Sequence, residues 1–398
     1  MPPIDDAPPG TIALSPRPRR VLILNSCRKW IGEAAHCYDL ARLLAARGHR
    51  AILVCRRGYA LEDAARRGGL AFASLEFSSR FSPRLDWRDL RRLRALAREE
   101  AIEILHCHRG KDHWLAACMR ELLRPRPVLV RTRHVVTAAR NHALNRWLYG
   151  RATAALISVS RGAHEGLGAL VRAIPSGRGR VILSAVDQDR FSPRRRDMEL
   201  RRSLGVADGD LLVGLVGRLQ NIKGHHVFIR AAGLAAQSRP NARFLAAGLG
   251  PTHKVRRQRA LADELGLGKR YILLGHRDDL PALMAGFDVG VAASLGSEGS
   301  SRVSLEYMAS GVPVVATRVG GIPELLRQGE FGRLVDPGDA EQLAEAIGAL
   351  LDSTEERQRL AQAARRMVAR EHSFERWIAD VEGVYESALA EGAKGRAR

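Results

Sequence analysis

The chain has 398 residues, a globular composition and a formal net charge of +21. It contains no run of eighteen apolar residues, which excludes a transmembrane helix. Residues 1–19 are Pro-rich and lack an apolar segment of signal-peptide length, so we expect a disordered leader. The five scattered cysteines argue against a disulfide framework or a zinc ribbon and fit a reducing compartment.

The positive charge is concentrated in the front half of the chain. Residues 1–187 carry a net charge of +17, whereas residues 188–398 carry +4. Such a surface attracts anionic lipid headgroups, phosphorylated glycans or nucleic acid. A base composition that favours Arg would enrich both halves, so we favour an anionic partner for the front half.

Strand and helix signals alternate along the chain, and the alternation occurs twice. Short apolar runs, each followed by a turn and a helical pattern, are typical of doubly wound sheets. The sequence therefore predicts an α/β fold with two Rossmann-like parallel-sheet domains that face each other across a cleft. The predicted strands lie at residues 20–25, 50–55, 71–77, 102–108, 128–133, 155–159, 180–183, 211–216, 242–247, 270–274, 289–294 and 312–316.

The domain boundaries follow from a linker pattern. The segment SAVDQDRFSPRRR combines turn residues, a proline and a charge run. We therefore expect an N-terminal domain over residues 20–186 and a C-terminal domain over residues 187–372. A last helix is predicted over residues 373–390, followed by a flexible tail over residues 391–398.

An amphipathic helix is predicted over residues 86–100. Trp87, Leu90, Leu93 and Ala97 share one side, and arginines cover much of the rest. Such a helix could lie on a membrane surface. We favour a helix that covers the sheet with its apolar side and turns its basic side outward.

Two histidines end the strand at residues 102–108. His106 and His108 point to the same face of that strand, and His113 follows on the next helix. Neighbouring cysteines and carboxylates lack ligand spacing, so we expect no metal site. A histidine that faces a ligand at the end of a parallel strand is the favoured interpretation. The alternative is that His106 packs in the core and His108 caps a turn.

A polar loop and the helix after it form the most informative stretch of the chain. The loop holds Glu298 and Gly299, and the helical pattern that follows contains Glu306 and ends at Gly311. Free backbone N–H groups at a helix N-terminus suit a phosphate. Because carboxylates bind sugar hydroxyls, this arrangement predicts a site for a nucleotide sugar.

Two basic residues join this stretch at the same sheet edge. Gly217, Arg218 and Lys223 follow the strand at residues 211–216, and the carboxyl ends of parallel strands converge. Two fixed cations can neutralise a diphosphate without a metal. They also stabilise the charge that develops as a nucleoside diphosphate leaves.

Together these motifs resemble the family-4 glycosyltransferases of the GT-B fold. The resemblance covers the chain after residue 20 and implies transfer of a hexose-type sugar, with retention, from a nucleotide donor that we expect to be UDP-linked. It implies neither a cofactor nor a metal, because the donor is a co-substrate. The matching segments are GRLQNIKG, SEGSSRVSLEYMASGVPVVAT, SAVDQDRFSP, HCH and SVS.

The resemblance also implies roles for individual residues. His108 and Glu298 would be catalytic, Arg218 and Lys223 would bind the diphosphate, and Glu306 would hold the ribose. The last helix would pack back on the first domain, which would be the acceptor side, and the second domain would bind the donor. The other donor-binding residues would be Gly32, Gly217, Gly275, His276, Arg277, Gly299, Ser300, Ser301, Arg302 and Val303.

The expected acceptor is a lipid-linked or phosphorylated glycan of lipopolysaccharide or polysaccharide synthesis. We expect it on the basic first domain, with the protein in the cytoplasm and peripheral on the inner face of the plasma membrane. Nucleic acid is not expected, because no aromatic stacking residues are interleaved with the basic ones. Two alternatives stay open at this point: a GT-B-like nucleotide-sugar epimerase and a non-catalytic polyanion-binding protein.

Overall fold

A computed structural model describes residues 13–78, 82–194, 197–296 and 298–394. These residues form two compact units. The C-terminal unit spans Ala185–Ser373. The N-terminal unit comprises the described residues up to Ser184 and those from Phe374 onward. Each unit is built on one parallel sheet with helices between its strands, so the predicted α/β class with two Rossmann-like parallel-sheet domains is confirmed. Residues 1–12 of the predicted leader and residues 395–398 of the predicted tail lie outside the described residues.

The N-terminal unit has a seven-stranded sheet in the order β3-β2-β1-β4-β5-β6-β7, in which every pairing is parallel. Its strands are β1 Arg20–Asn25, β2 Arg50–Arg56, β3 Phe72–Leu75, β4 Ile104–Cys107, β5 Val128–Arg133, β6 Ala155–Ser158 and β7 Gly179–Val181. Its helices, numbered in chain order, are α1 Gly32–Ala46, α2 Ala60–Arg67, α3 Pro83–Glu99, α4 Gly110–Glu121, α5 Ala143–Trp147, α6 Arg161–Glu165 and α15 Phe374–Lys394.

The C-terminal unit has a six-stranded parallel sheet in the order β10-β9-β8-β11-β12-β13. Its strands are β8 Leu211–Val216, β9 Ala242–Ala247, β10 Tyr271–Leu274, β11 Val289–Ala292, β12 Val314–Thr317 and β13 Arg333–Val335. Its helices are α7 Met198–Ser203, α8 His225–Ala236, α9 Thr252–Glu264, α10 Leu280–Ala285, α11 Arg302–Ala309, α12 Ile322–Leu325, α13 Ala340–Asp352 and α14 Thr354–Glu371. Among the described helices, none has the length and apolarity that a bilayer span requires.

Strand order reverses beside the first strand of each sheet. In the N-terminal unit β1 lies between β2 and β4, and in the C-terminal unit β8 lies between β9 and β11. The loops that leave the two central strands of each sheet therefore diverge, and doubly wound sheets bind ligands at such points. Gly32 and His108 lie at this point in the first sheet, and Arg218 and Glu298 lie at it in the second.

Several element predictions need correction. The sequence pattern over residues 141–154 indicates one helix, but the structure has the short α5 there, followed by a π-helical turn, Leu148–Ala152. No element was predicted between residues 327 and 372, where β13, α13 and α14 lie. The apolar spacing of Leu343, Ile347 and Leu350 in α13 carries the helical signal, and these side chains are buried in the core.

Helix α3 turns a different face to the core than the sequence suggested. Leu93 and Ala97 are buried as predicted, but Trp87 is 60% exposed. Asp89 takes its place in the interior, because its carboxylate accepts hydrogen bonds from the backbone N–H groups of Glu76 and Phe77 at 3.0 and 2.8 Å. A buried carboxylate is stable there only with such donors, and the helix is rotated accordingly.

Helix α15 closes the N-terminal unit, packing on α1, β5 and β6. The Glu382 carboxylate on this helix is bonded to the Arg47 guanidinium at 2.7 and 2.8 Å and to His49 Nε2 at 2.6 Å. One turn further, Glu386 is bonded to Arg19 at 2.8 and 2.7 Å. These pairs fix the last helix and the chain just before β1 to the same unit.

The described part of the predicted leader, residues 13–19, also contacts the N-terminal unit. The Ser15 N–H donates to the Arg47 carbonyl at 2.8 Å, and Arg19 adds an ion pair with Glu103 at 3.0 Å. These residues are therefore anchored to the folded chain.

The Glu382→Ala substitution should lower the free energy of unfolding by about 1.5–3 kcal/mol, because it removes charge-assisted hydrogen bonds from a mostly buried position. Burial raises the pKa of Glu382, but hydrogen bonds from Arg47 and His49 outweigh it, so the net pKa is lowered. This stabilisation is therefore complete above the ordinary carboxyl pKa of 4.5 and is lost as the pH falls below it.

Urea denaturation of wild type, Glu382→Ala and Asp380→Ala at pH 7 and pH 4 would measure the effect. Asp380 is exposed on the same helix and serves as the control. Equal midpoints for the two variants at pH 7 would contradict the assignment.

Candidate functional site

The loops after β8 and β11 are joined by their backbones. The Leu295 N–H donates to the Ile222 carbonyl at 2.8 Å. Gly224 has φ +66°, and a Cβ at this position would lie 1.8 Å from the Ala293 carbonyl oxygen. A residue with a side chain would therefore push the two loops apart, and glycine is required at this position.

This contact brings Lys223 and Glu298 together. Lys223 Nζ lies 2.5 and 3.0 Å from the two carboxylate oxygens of Glu298. The backbone of Glu298 is also fixed, because the Gly321 N–H donates a hydrogen bond to the Glu298 carbonyl at 2.9 Å. Gly320 has φ +57°, and a Cβ on it would lie 1.7 Å from the same oxygen. This glycine pair therefore positions the backbone of Glu298.

Arg218 lies beside this ion pair but takes no part in it. Its side chain is half-buried, and within the described residues it has no hydrogen-bond or ion-pair partner. Burial lowers its pKa, and the nearby Glu298 carboxylate raises it. A partly desolvated guanidinium with free donors is suited to an anion, because it forms bidentate charge-assisted hydrogen bonds.

His225 supports the Arg218 loop, although it was not among the residues predicted from the sequence. Its Nε2 lies 3.1 Å from both the Gly217 and the Arg218 carbonyl oxygens and can donate to them. Burial lowers the pKa of His225 to about 4, so the ring is neutral at pH 7. The GHH sequence after Lys223 was the available signal, but only the fold turns the first of these histidines toward the loop.

The N-terminus of α11 completes this side of the sheet. Ser301 precedes the helix in the left-handed region, with φ 42°, and its Oγ lies 2.7 Å from Ser304 Oγ. Arg302 and Glu306 form an ion pair at 3.1 Å on the same helix. Gly299 and Ser300 precede this helix and Val303 is its second residue, and their role as donor residues stays a prediction.

Tyr307 fixes α11 to the sheet. Its hydroxyl accepts a hydrogen bond from the Val216 N–H at 2.8 Å and donates to the Gly214 carbonyl at 3.2 Å. Its ring lies against Gly290, where a Cβ would come within 2.6 Å of it. The position of this helix therefore depends on the end of β8, the strand that leads to Arg218.

The remaining predicted donor residues lie further along the sheet. Gly275, His276 and Arg277 follow β10, which is separated from β8 by β9. Arg277 pairs with Asp279, and His276 Nε2 lies 3.0 Å from Asp278. In the described residues no hydrogen bond or ion pair joins them to the Arg218 loop, so their role as donor residues stays a prediction.

In the N-terminal unit, His108 lies at the end of β4 in a group of imidazoles. Its Nδ1 is 2.9 Å from His134 Nε2, and its ring stacks on His106 with centroids 4.5 Å apart. Burial lowers the pKa of His108 well below 6.5, and the neighbouring His106, His134 and Arg131 lower it further. The ring is therefore neutral at pH 7, and its buried Nε2 has no hydrogen-bond partner in the described structure.

His106 has a supporting position behind His108. Its Nδ1 is 2.7 Å from the Tyr385 hydroxyl on α15, and its Nε2 is 2.7 Å from Thr132 Oγ1. Both ring nitrogens are thus occupied, and the sequence-based alternative in which His106 packs in the core holds for this residue. The last helix therefore supports the ring on which His108 stacks.

The loop around His108 is held by a buried carboxylate. Asp112 accepts hydrogen bonds from Ser26 Oγ at 2.8 Å and from the His108 and Arg109 N–H groups at 3.1 and 2.9 Å. Burial raises the pKa of Asp112, and Arg131 and these donors lower it. Gly32, the first residue of α1, borders open space, since a Cβ on it would meet no atom within 4 Å.

Comparisons with known proteins agree with this architecture. Residues 31–190 match the family described as Glycosyltransferase Family 4, and residues 210–353 match Glycosyl transferases group 1. D-inositol 3-phosphate glycosyltransferase of Corynebacterium urealyticum is 34% identical over 217 residues, which cover 52% of this chain. That match spans only half of the relative's length, 50%.

Two solved structures share the fold over nearly the whole chain. A glycosyltransferase of Rickettsia africae has a TM-score of 0.85 at 20% identity and covers 94% of this chain and 99% of its own. Alr3699/HepE of Anabaena, in complex with UDP, has a TM-score of 0.81 at 23% identity and covers 92% of this chain and 100% of its own. With the family matches in both units, these findings show that the chain belongs to glycosyltransferase family 4, group 1, with the GT-B fold.

Proposed function

We propose that the protein is a retaining glycosyltransferase that moves a hexose-type sugar from a UDP-linked donor to a lipid-linked or phosphorylated glycan of the cell envelope. The observation that carries the proposal is Arg218, a half-buried cation with no partner among the described residues, beside the Lys223–Glu298 pair. Support comes from HepE, whose structures hold UDP and UDP-glucose, and from relatives that act on D-inositol 3-phosphate.

In this proposal the donor rearranges an existing ion pair. The pyrophosphate brings negative charge to Arg218 and Lys223, so Lys223 exchanges its contact with Glu298 for a phosphate oxygen. Glu298 is then available to accept a hydrogen bond from a sugar hydroxyl. Glu306 is the proposed contact for the ribose, and the backbone N–H groups at the start of α11 add neutral donors.

The proposed reaction keeps the anomeric configuration. The acceptor hydroxyl attacks the anomeric carbon on the face from which the diphosphate departs, and the bond from that carbon to the phosphate oxygen breaks. The leaving diphosphate takes the acceptor proton, so no strong protein base is required. Arg218 and Lys223 stabilise the charge that develops on the leaving group, which is the interaction that accelerates the step.

His108 is the proposed catalytic residue of the N-terminal unit. Its ring is neutral at pH 7 and has an unpaired Nε2, so it can exchange a hydrogen bond with a substrate hydroxyl. The stacked His106 and the hydrogen bond to His134 restrict the ring to one orientation. A preoriented group of this kind loses little entropy when the substrate binds.

The surface of α3 supports a peripheral membrane location for the acceptor side. Trp87 is 60% exposed, and Arg84, Arg88 and Arg91 are exposed within one turn of it. Tryptophan inserts at the headgroup level, and each arginine near an anionic leaflet contributes about 1 kcal/mol. We therefore propose that this face binds the inner leaflet of the plasma membrane from the cytoplasm.

The Arg218→Ala substitution should weaken UDP binding by roughly tenfold to a hundredfold, because it removes a charge-assisted contact worth about 1.5–3 kcal/mol. Isothermal titration calorimetry with UDP measures the dissociation constant directly. Arg230→Ala, at an exposed position on α8, is the matched control. A dissociation constant that did not change in Arg218→Ala would refute the assignment.

The Glu298→Gln substitution should lower kcat by roughly 10²–10³-fold, the effect of removing one preorganised electrostatic group. The measurement is release of UDP from UDP-glucose in the presence of phosphorylated and lipid-linked acceptors, with products identified by mass spectrometry. Glu330→Gln, exposed in the same unit, serves as the control. Full turnover in Glu298→Gln would remove this residue from the mechanism. An epimerised sugar from donor alone would favour the epimerase alternative.

The Trp87→Ser and Arg88→Glu substitutions should each reduce sedimentation with phosphatidylglycerol vesicles, the second by about tenfold at low salt. Leu234→Ser is the control, because Leu234 is 39% exposed on the other unit. Vesicles of phosphatidylcholine alone should bind the wild type weakly. Equal binding of all variants to anionic vesicles would exclude α3 as the membrane surface.

A further inference from the structure

Three histidines converge in the N-terminal unit from separate parts of the chain. His36 lies on α1, His108 follows β4 and His134 follows β5. Each offers one ring nitrogen, and the three nitrogens lie within 4.8 Å of one another. The spacing of ligands along the sequence indicated no metal site here, because these residues are distant in the chain and only the parallel sheet brings them together.

The ring arrangement matches the geometry of a metal bound by three imidazoles. The centroids of His36 and His108, His36 and His134, and His108 and His134 are 5.6, 4.7 and 5.2 Å apart. A tetrahedral zinc ion with Zn–N bonds of about 2.0–2.1 Å places such centroids roughly 5 Å apart. The observed spacings therefore require only small ring movements to close around an ion.

We propose that His36, His108 and His134 form a binding site for a divalent transition metal of the zinc class, with a fourth position open to water or substrate. This inference goes beyond the proposed function, which uses His108 only as a hydrogen-bonding group. Three histidines with an open fourth position are a known ligand set for zinc.

The surroundings hold the three rings ready for a metal. The rings of His36 and His108 are buried, and a metal binds the unprotonated nitrogen of a neutral imidazole. His108 and His134 now share one hydrogen between their facing nitrogens. On metal binding, that hydrogen bond breaks and the proton moves to the other nitrogen of the same ring. His106 stays outside the site, since both of its nitrogens are bonded elsewhere.

The charge of Arg131 limits the affinity. This buried guanidinium is near enough to lower the pKa values of His108 and His134, and it repels a cation in the same way. With three neutral ligands and no carboxylate, we expect a dissociation constant of about micromolar order, weaker than structural zinc sites. If the proposed function also holds, a bound ion competes with the sugar or acceptor for His108.

The test is a titration of the tag-free, full-length protein with Co²⁺, followed by displacement with Zn²⁺. We expect one equivalent of tetrahedral Co²⁺, seen as visible d–d absorption, which zinc removes. Bound Co²⁺ should also quench Trp377 fluorescence, because that ring lies 4.6 Å from His36. Trp377→Phe should retain the absorption band and lose this quenching.

The His36→Gln and His134→Gln substitutions should each weaken Co²⁺ binding at least tenfold, while His253→Gln, at an exposed position, should bind like wild type. Circular dichroism and thermal melting without metal show that each variant is folded. Absence of stoichiometric Co²⁺ binding to the wild type would overturn the proposal. Equal binding by folded His36→Gln, His134→Gln and wild type would overturn it as well. Neither result bears on UDP binding, which tests the proposed function separately.

Discussion

The contact between Gly224 and the Ala293 carbonyl is the constraint on which the C-terminal unit depends. Any side chain at Gly224 would lie within 1.8 Å of that oxygen, so only glycine lets the loops after β8 and β11 meet. Their meeting places Lys223 on Glu298. Gly320 makes a similarly close contact with the carbonyl oxygen of Glu298, where a Cβ would also clash. The charged residues are thus positioned by backbone packing, which costs little entropy when a ligand arrives.

The N-terminal unit uses the end of the chain for a similar purpose. Helix α15 is bound to the start of the unit through Arg47 and Glu382, and it sends Tyr385 to His106. His108 stacks on His106, so the orientation of a proposed catalytic ring depends on a helix far away in sequence. The functional residues are therefore held in place in different ways. Glycine contacts position them in the C-terminal unit, and the terminal helix α15 supports them in the N-terminal unit.

Much of the fold could be read from the sequence because the strands are buried on both faces. The bounds of β1, β5, β8 and β9 agree with the apolar runs, since a continuous run of this length has few other stable arrangements in a parallel sheet. Trp87 was misplaced because helical spacing alone does not reveal that Asp89 would find two backbone donors and take the interior position.

The sequence by itself determined the alternation of strands and helices, the family resemblance, and the residues Arg218, Lys223, Glu298 and His108 as candidates, because these signals are local. Only the tertiary structure decided what they contact. It paired Lys223 with Glu298, left Arg218 without a partner among the described residues, and placed His36 and His134 beside His108. Contacts between distant segments depend on strand order, and a one-dimensional pattern does not contain it.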